Sequence, residues 1–547
     1  LAARLDQLDP SERDVLERGA VEGQVFHRGA VAALDPEHAE VDGRLITLVR
    51  KDLVRPERAI VPDDDAYRFR HLLIRDTAYE ALPKAARAEL HERFATWLAE
   101  FGADLVELDE IVGYHLEQAY RYRLELGPLD DAAAAIGRQA ADRLLASADR
   151  SRERGDSLAA QTLLTRALEI LPSDGKSHRY AKLELAVLLV ELGEFAQAEG
   201  LREELMAEAK ATQDERLLAR IQLARAEAEV QSDSTTTMRD ALVLAEDALT
   251  ELERLGDEEG AVWALRLVGN FHAWLGSGAE AEALWAQALE RAERVSPRLV
   301  SEVLVWRCWD IWWGPTPAEE GIRLCNEFME QSSSKQLEAI ALMVRGTQKG
   351  ALNRLDEGRK DVAAGRTLLK ELGNEISWAG SSMINAEMEL LAGNAEKAYE
   401  TLAEGHERLA ASAETGYLAT VVGLRAQAAL GLGREDEALR LADEAERVAA
   451  VDDFEPHGRL RLVRARVLAR RGDFDQADEL LREAAEIIEP TDYVILHLNV
   501  AFARAEVDRL AGRPEAERAA LEAALPMAEK KQNLLAVERI RARLAEI

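Results

Sequence analysis

Cysteine is nearly absent: Cys308 and Cys325 are the only two in 547 residues, and they offer neither a disulfide framework nor a metal-ligand spacing, which fits a reducing cytoplasm. Aromatics are sparse too, at 5% against 47% hydrophobic residues, so the apolar content is chiefly Ala, Leu and Val, the material of helices. No run approaches the roughly 18 apolar residues of a membrane span. The opening "LAARLDQLDPSERD" lacks the apolar core of a signal peptide. A soluble cytoplasmic chain with no membrane partner is expected. Basic charge is also in deficit. The net charge is −33, and acidic side chains outnumber basic ones even within residues 1–126. Phosphate backbones are gripped by clustered Lys and Arg, so a nucleic-acid partner is excluded. The negative charge is spread over helix surfaces rather than gathered in runs, a pattern that serves solubility.

What is there is repetition. From about residue 148 a small residue, a middle Ala and a second Ala recur in one register, as Ala148/Ala160/Ala167, Gly269/Ala281/Ala288, Ala426/Ala438/Ala445 and Ala465/Ala477/Ala484. Shorter matches are Ala186/Ala198, Ala386/Ala398 and Ala241/Ala248. Turns precede the middle Ala at Gly155, Gly193, Gly276, Gly393, Gly433 and Gly472. Each unit reads as helix, tight turn, helix, with Gly supplying the left-handed residue that ends the first helix. Small side chains let the helices cross closely, and leucines such as Leu480 and Leu481 fill the groove between repeats. The turns are spaced by about 40 residues, with degenerate turns near 236 and 316, which gives about ten units. The pattern resembles the tetratricopeptide repeat with lengthened helices, like the superhelical sensor arms of bacterial signal-transduction ATPases.

The first 130 residues read differently. In "LDPSERDVLERGAV", Asp9 or Ser11 caps a helix, Pro10 sits in its first turn, and Glu12 and Asp14 lie near the positive end of its dipole. A short helix follows near Arg28 to Leu34, and "DGRLITLVRKDLV" makes a third. Leu53 to Arg55 and Tyr67 to Arg70 alternate as two strands around a polar loop. Three helices and a hairpin make a winged helix. Next, Leu90, Phe94, Trp97, Leu98 and Phe101 form one apolar stripe that should dock on the wing or on the first repeat. "LGPLDDA" is the expected hinge. The expected fold is mostly α: a winged-helix domain at 1–83, connecting helices at 84–130, and a tetratricopeptide-like α-solenoid of about ten helix pairs at 131–547.

The segment "FRHLLIRDTAYEALPKAARAELH", preceded by "LVRKDLV" and followed by helical repeats, resembles the region just downstream of the nucleotide-binding module in STAND-type ATPases. It is most similar to actinobacterial multidomain proteins that join a class III adenylate or guanylate cyclase, an AAA-like ATPase and tetratricopeptide repeats. The specific part of the likeness is about Leu48 to Leu98. The resemblance implies a switch in which nucleotide module and winged helix clamp ADP until a signal on the repeat arm permits ATP exchange. It also implies that His71 contacts nucleotide phosphate, an imidazole N–H being a suitable donor; the alternative is a local cap. Arg70 and Arg75 either reach the nucleotide or pair with Asp76 and Glu80, and Tyr79 is expected to bury its ring. ATP or ADP would belong to the upstream module, and the start at Leu1 rather than Met leads to the expectation that such a part precedes this chain.

No cofactor is expected within the chain itself. Gly175-Lys176-Ser177 is not a P-loop, because Ile170 stands where the first Gly is required. The ten histidines show no metal-ligand spacing, and no catalytic set is discernible, so neither metal nor enzyme activity is expected here. Seven of the nine tryptophans lie between 263 and 313. Trp306, Trp309 and Trp313 share a helical face and, with Trp263 and Trp274, either line a groove for a protein, peptide or small effector or simply fill the core. Pro315 and Pro317 are expected to break the array. The reading is a sensor and regulatory region acting on an upstream nucleotide-binding domain linked to a cyclase. The alternatives are the sensor half of a STAND-type transcriptional regulator of the maltose-regulator kind, or a free-standing tetratricopeptide scaffold. "QNLLAVERIRARLAEI" reads as the last helix of a repeat rather than a DNA-reading one.

Overall fold

The structure, a computed structural model, describes residues 5, 7–34, 40–103, 105, 107–412 and 414–547. The chain forms two compact units: residues 1–150 with 159–182, and residues 151–158 with 183–547.

In the first unit three helices, Pro10–Glu22, Arg28–Leu34 and Val41–Arg50, pack with a three-stranded antiparallel sheet of β1 (Val25–His27), β2 (Val54–Glu57) and β3 (Ala66–Phe69), ordered β1-β3-β2. Asp9 opens the first helix, and its amide donates to Glu12 Oε2 at 3.1 Å. β1 has no counterpart in the sequence reading. Three residues are too few for alternation to show, yet β1 pairs Val25 with Arg68 and Phe26 with Tyr67. Its Phe26 joins Leu16, Leu45, Leu48, Val54, Phe69 and Ile74 in the core. Helix Lys84–Phe101 buries Leu90, Phe94, Trp97 and Leu98, whereas Phe101 is 53% exposed. The apolar stripe is therefore buried over one residue fewer than expected: Phe101 ends the helix beside Gly102 and its ring stacks on Trp97, at 5.8 Å.

From residue 131 the chain is an α-solenoid. Among the described residues ten helix pairs run from Asp131–Arg154 to Pro514–Lys531, one of them with its first helix interrupted into Glu375–Gly380 and Ser382–Leu391, followed by the single helix Leu534–Glu546. Every turn glycine named from the sequence has positive φ, from +74° at Gly433 to +89° at Gly276. Asn353 (φ 62°) does the same work without a glycine. The small residues at the crossings are buried, Ala160, Ala167, Ala281, Ala288, Ala438, Ala445, Ala477 and Ala484 all at 0% exposure. Size there is enforced by neighbours: a Cβ on Gly269 would lie 2.6 Å from Trp285 Nε1. Pro315 and Pro317 do not break the array. They fall in the turn between Pro297–Trp313 and Ala318–Gln331, where a missing N–H costs nothing, and the repeats continue.

Within the second unit, successive turns of the superhelix are bonded to each other. The amides of Met238 and Arg239 donate to Asp452 at 2.9 and 3.0 Å, that of Ala279 to Asp492 Oδ2 at 3.0 Å, and that of Glu319 to Gln532 Oε1 at 2.9 Å. Arg239, Ala279 and Glu319 stand one repeat apart, as do their acceptors, and each pair is separated by 213 residues. Each bond caps the start of a repeat's second helix, whose first amides have no intrahelical partner. At the same seam Lys531 Nζ donates to the carbonyls of Ile311 (2.8 Å) and Gly314 (2.7 Å), and Tyr493 OH to that of Ala273 (2.8 Å). Gly276 is doubly required here, by its φ of +89° and because a Cβ would lie 2.5 Å from Thr491 Cγ2.

Losing such a cap costs about 1 kcal/mol. Asp492→Ala is expected to lower the stability of the second unit by about that amount in urea unfolding, and to speed amide exchange at the start of helix Gly278–Ala292, while leaving helix Phe474–Ile488 unaffected.

Candidate functional site

The first helices of successive repeats in the second unit, Glu215–Ser232, Glu258–Trp274 and Pro297–Trp313, open with acceptors one residue upstream: Asp214, Asp257 and Ser296 each take an amide of the first turn. The same helices carry a ladder of alternating charge. Arg220 clamps Asp257 with two bonds of 2.7 Å and reaches Glu259 Oε2 at 3.1 Å. Arg298 holds the other oxygen of Glu259 at 2.9 Å and Glu302 at 2.9 Å. In a second row, Glu227 accepts from Arg266 Nη2 and Trp263 Nε1, both at 3.2 Å. Arg152 closes the row against Glu184, Glu191 and Glu302.

This wall bounds a charged chamber of about 140 Å³, with Trp263, Trp306 and Trp309 among its lining. Burial pushes the Glu191 carboxyl up. Burial would do the same to Glu302, but Arg298, Arg152 and Arg266 outweigh it and hold that group below the usual range. The Nε of Arg266 is buried without a hydrogen bond and stands 4.0 Å from Glu302 Oε2.

A second, aromatic chamber of about 100 Å³ shares Gln231, Trp306 and Tyr417 with the first. Its rings interlock: Trp274 on Trp306 at 5.3 Å, Trp313 on Tyr493 at 5.7 Å, and Phe454 on Tyr493 at 5.2 Å. Glu414 and Asp453 line it as well. Glu414 is fully buried and accepts from the amides of Tyr417 (2.8 Å) and Leu418 (3.1 Å). Burial, against those bonds, pushes its pKa up to about 7. Asp453, with burial first and Glu455 second, is raised well above the carboxylate range.

The five tryptophans singled out from the sequence thus divide between the chambers: Trp263 and Trp309 in the charged one, Trp274 and Trp313 in the aromatic one, and Trp306 in both. Trp285 and Trp312 are packed at 1% and 2% exposure, with Trp285 Nε1 bonded to Arg266 O and Asn270 Oδ1. The sequence reading missed the arginines and the two buried carboxylates. The available signal was the opposite charge at matching positions of adjacent repeats, Arg220, Glu259 and Arg298.

His71 precedes helix Leu72–Ala81 as its N-cap residue and is exposed, but its side chain makes no capping bond. Arg70 pairs with Asp52 at 2.7 Å, not with Asp76 or Glu80, because the strand end carries it toward the turn after Val41–Arg50. Arg75 binds Asp76 at 3.1 Å and the carbonyl of Ala20 at 3.1 Å, pinning its helix to Pro10–Glu22. Tyr79 is half-buried between the guanidiniums of Arg75 and Arg87. Its hydroxyl meets His91 Nε2 (2.8 Å) and Tyr122 OH (2.9 Å), and His91 Nδ1 lies 2.8 Å from His115 Nδ1. Tyr79, Arg87 and His91 of the aromatic and basic stretch 67–98 thus meet helix Leu108–Leu126 at this joint. Burial, then Arg75 and Arg87, pushes the His91 imidazole down to about 3, and burial pushes His115 well down as well.

Among the described residues no group of three or more His, Cys, Asp or Glu could hold a metal, and no helix is long and apolar enough to cross a membrane. Gly175 lies in the turn before helix Lys176–Glu191.

No protein-family model matches the sequence, and no curated protein matches it. Several solved structures are similar to it. A signal transduction ATPase with numerous domains and a tetratricopeptide repeat sensor, from Pyrococcus horikoshii, aligns at 16% identity over 89% of this chain and 64% of that one, with a TM-score of 0.36. This chain therefore spans less than two thirds of that protein. A Rap protein complexed with competence and sporulation factor aligns at 14% identity over 68% and 98%, with a TM-score of 0.38. The Cut9–Hcn1 assembly of APC/C aligns at 13% over 85% and 92%, with a TM-score of 0.41.

Arg220→Ala leaves buried Asp257 only the Gly260 amide and the partly exposed Arg216 at 3.8 Å, and is expected to cost about 3 kcal/mol in denaturant unfolding, with Arg220→Met plus Asp257→Leu recovering part of the loss. For the histidine joint, the unfolded imidazoles take up protons near pH 6.5, while folded His91 resists to about 3 and burial holds folded His115 well below its ordinary value, so stability falls as pH drops below 6.5. Melting curves between pH 7 and 4 are expected to show this, and a His115→Phe variant to show a shallower decline.

Proposed function

We propose that this chain is the regulatory and sensor region of a multidomain signalling ATPase. An effector occupies the interior of the repeat superhelix, and its presence is relayed through the three-helix, three-strand domain, read as a winged helix, to an upstream nucleotide-binding module linked to a class III cyclase. One observation carries the reading: the adjoining chambers are walled by helices of successive superhelical turns, since Trp274 and Trp306 face Phe454 and Tyr493 from elements far apart in sequence. An occupant touches both turns, so its binding energy bears directly on how tightly they close. The chambers are mostly preformed, concave and mixed in polarity, as ligand sites are.

The resemblance of Leu48–Leu98 supports the upstream half of the proposal. Its exposed start, His71 with Leu72 at 54% and Leu73 at 62% exposure, leaves an imidazole beside an apolar step for the module that holds ADP or ATP. Peptides and small effectors remain the candidate partners for the interior.

Titrating the chain with fractionated peptide and metabolite pools, while following tryptophan emission and melting temperature, tests the sensor role. An active fraction is expected to shift both, and Trp309→Ala or Arg266→Gln to weaken the response at least tenfold. A response indifferent to both substitutions counts against an interior site.

A further inference from the structure

We propose that the aromatic chamber binds an organic ammonium ion, held over its indole and phenol rings with Glu414 and Asp453 as counter-charges. The inference rests on the sensor reading and narrows it to one ligand chemistry.

Two equivalent aspartates of the array differ in their partners. Asp257 and Asp453 are both N-caps of the first helix of a repeat, Asp257 accepting from Gly260 N and Asp453 from Glu455 N. Asp257 is clamped by the guanidinium of Arg220. Asp453 has no such partner: among the described residues lining its chamber there is no Lys, Arg or His, and Thr420 occupies that side instead. Asp453 is 9% exposed and Glu414 0%. The third carboxylate at the chamber, Glu455, is already neutralised by Arg459 Nε at 2.7 Å and receives Thr420 Oγ1 at 3.2 Å.

Two buried carboxyl groups without a cation are costly to ionise, which is why burial raises both. The groups around them are not neutral filler. Trp274, Trp306, Trp313, Phe454 and Tyr493 line the chamber with aromatic rings, the groups whose π systems attract a poorly hydrated cation. Aromatic walls and unneutralised acids favour the same ligand, an alkylammonium whose methyl or methylene groups meet the rings while its charge meets the carboxylates. A metal ion would find too few oxygen donors converging, and a guanidinium is what the neighbouring repeats supply from within. The ammonium can come from a free small molecule or from a lysine side chain of a peptide.

The test uses the full 547-residue chain at pH 7.5. Choline serves as the free ammonium and N-acetyl-lysine-methylamide as the side-chain source. The neutral isostere of choline, 3,3-dimethylbutan-1-ol, is the control. Saturable quenching of tryptophan emission and a raised melting temperature are expected with at least one ammonium probe, with the neutral alcohol at least tenfold weaker, and the responding probe identifies the source. Asp453→Asn keeps its helix cap and should melt no lower than the parent chain, Glu414→Gln gives up one of the amide bonds from Tyr417 and Leu418, and each should bind the probe at least tenfold less tightly. Equal binding of the neutral alcohol, or no response to either ammonium at about 10 mM, a generous ceiling for a cation held by several rings, overturns the proposal. If ammonium probes fail while a pool fraction still acts through Arg266, only this inference falls. If no fraction acts either, the sensor reading falls with it.

Discussion

The second unit depends on one repeated bond: the opening amides of a repeat's second helix take an oxygen from a side chain 213 residues later. A helix start is a cluster of unpaired N–H groups, and in most helices a neighbouring residue or water satisfies them. Here the next superhelical turn does so. The bond consequently fixes the number of repeats per turn and the rise between turns together, because Asp452, Asp492 and Gln532 can reach their targets at only one pitch. Left-handed glycines, small residues at crossings and the carbonyls bound by Lys531 all serve that close stacking.

Closing the superhelix so tightly makes its interior a lumen instead of an open groove, and that decides what the first helices can carry. A leucine-lined wall would have collapsed. Paired arginines and glutamates are held at fixed distances by each other and keep the charged chamber open, while bulky rings keep the aromatic one open by resisting closer packing. Ion pairs in such a place add little net stability against apolar replacements, but they help to set register, since each guanidinium bridges particular carboxylates of adjacent helices.

Much of this architecture was legible in the residues. Gly155, Gly193, Gly276, Gly393, Gly433 and Gly472 announced left-handed turns because few other residues tolerate that conformation, and the alanine register announced close crossings. Asn353 was silent since asparagine has many other uses. β1 was silent because three residues carry no period. The chambers were half legible: the tryptophan cluster was conspicuous, but sequence spacing cannot say which face meets the lumen once 213-residue contacts decide the pitch. Asp453 and Glu414 looked like two more acids in a strongly acidic chain, and only their burial distinguishes them. The basic and aromatic stretch around Tyr79 pointed outward to a ligand in the sequence, whereas much of it is turned inward on His91, His115 and Tyr122.

The alternating ladder of Arg220, Glu259 and Arg298 carries a rule about how such a chain can change length. Duplicating or deleting a single repeat within the wall would set arginine beside arginine or glutamate beside glutamate in that row. Units can be gained or lost there only in even numbers, so the wall has a parity that ordinary helical arrays, joined by leucine, do not.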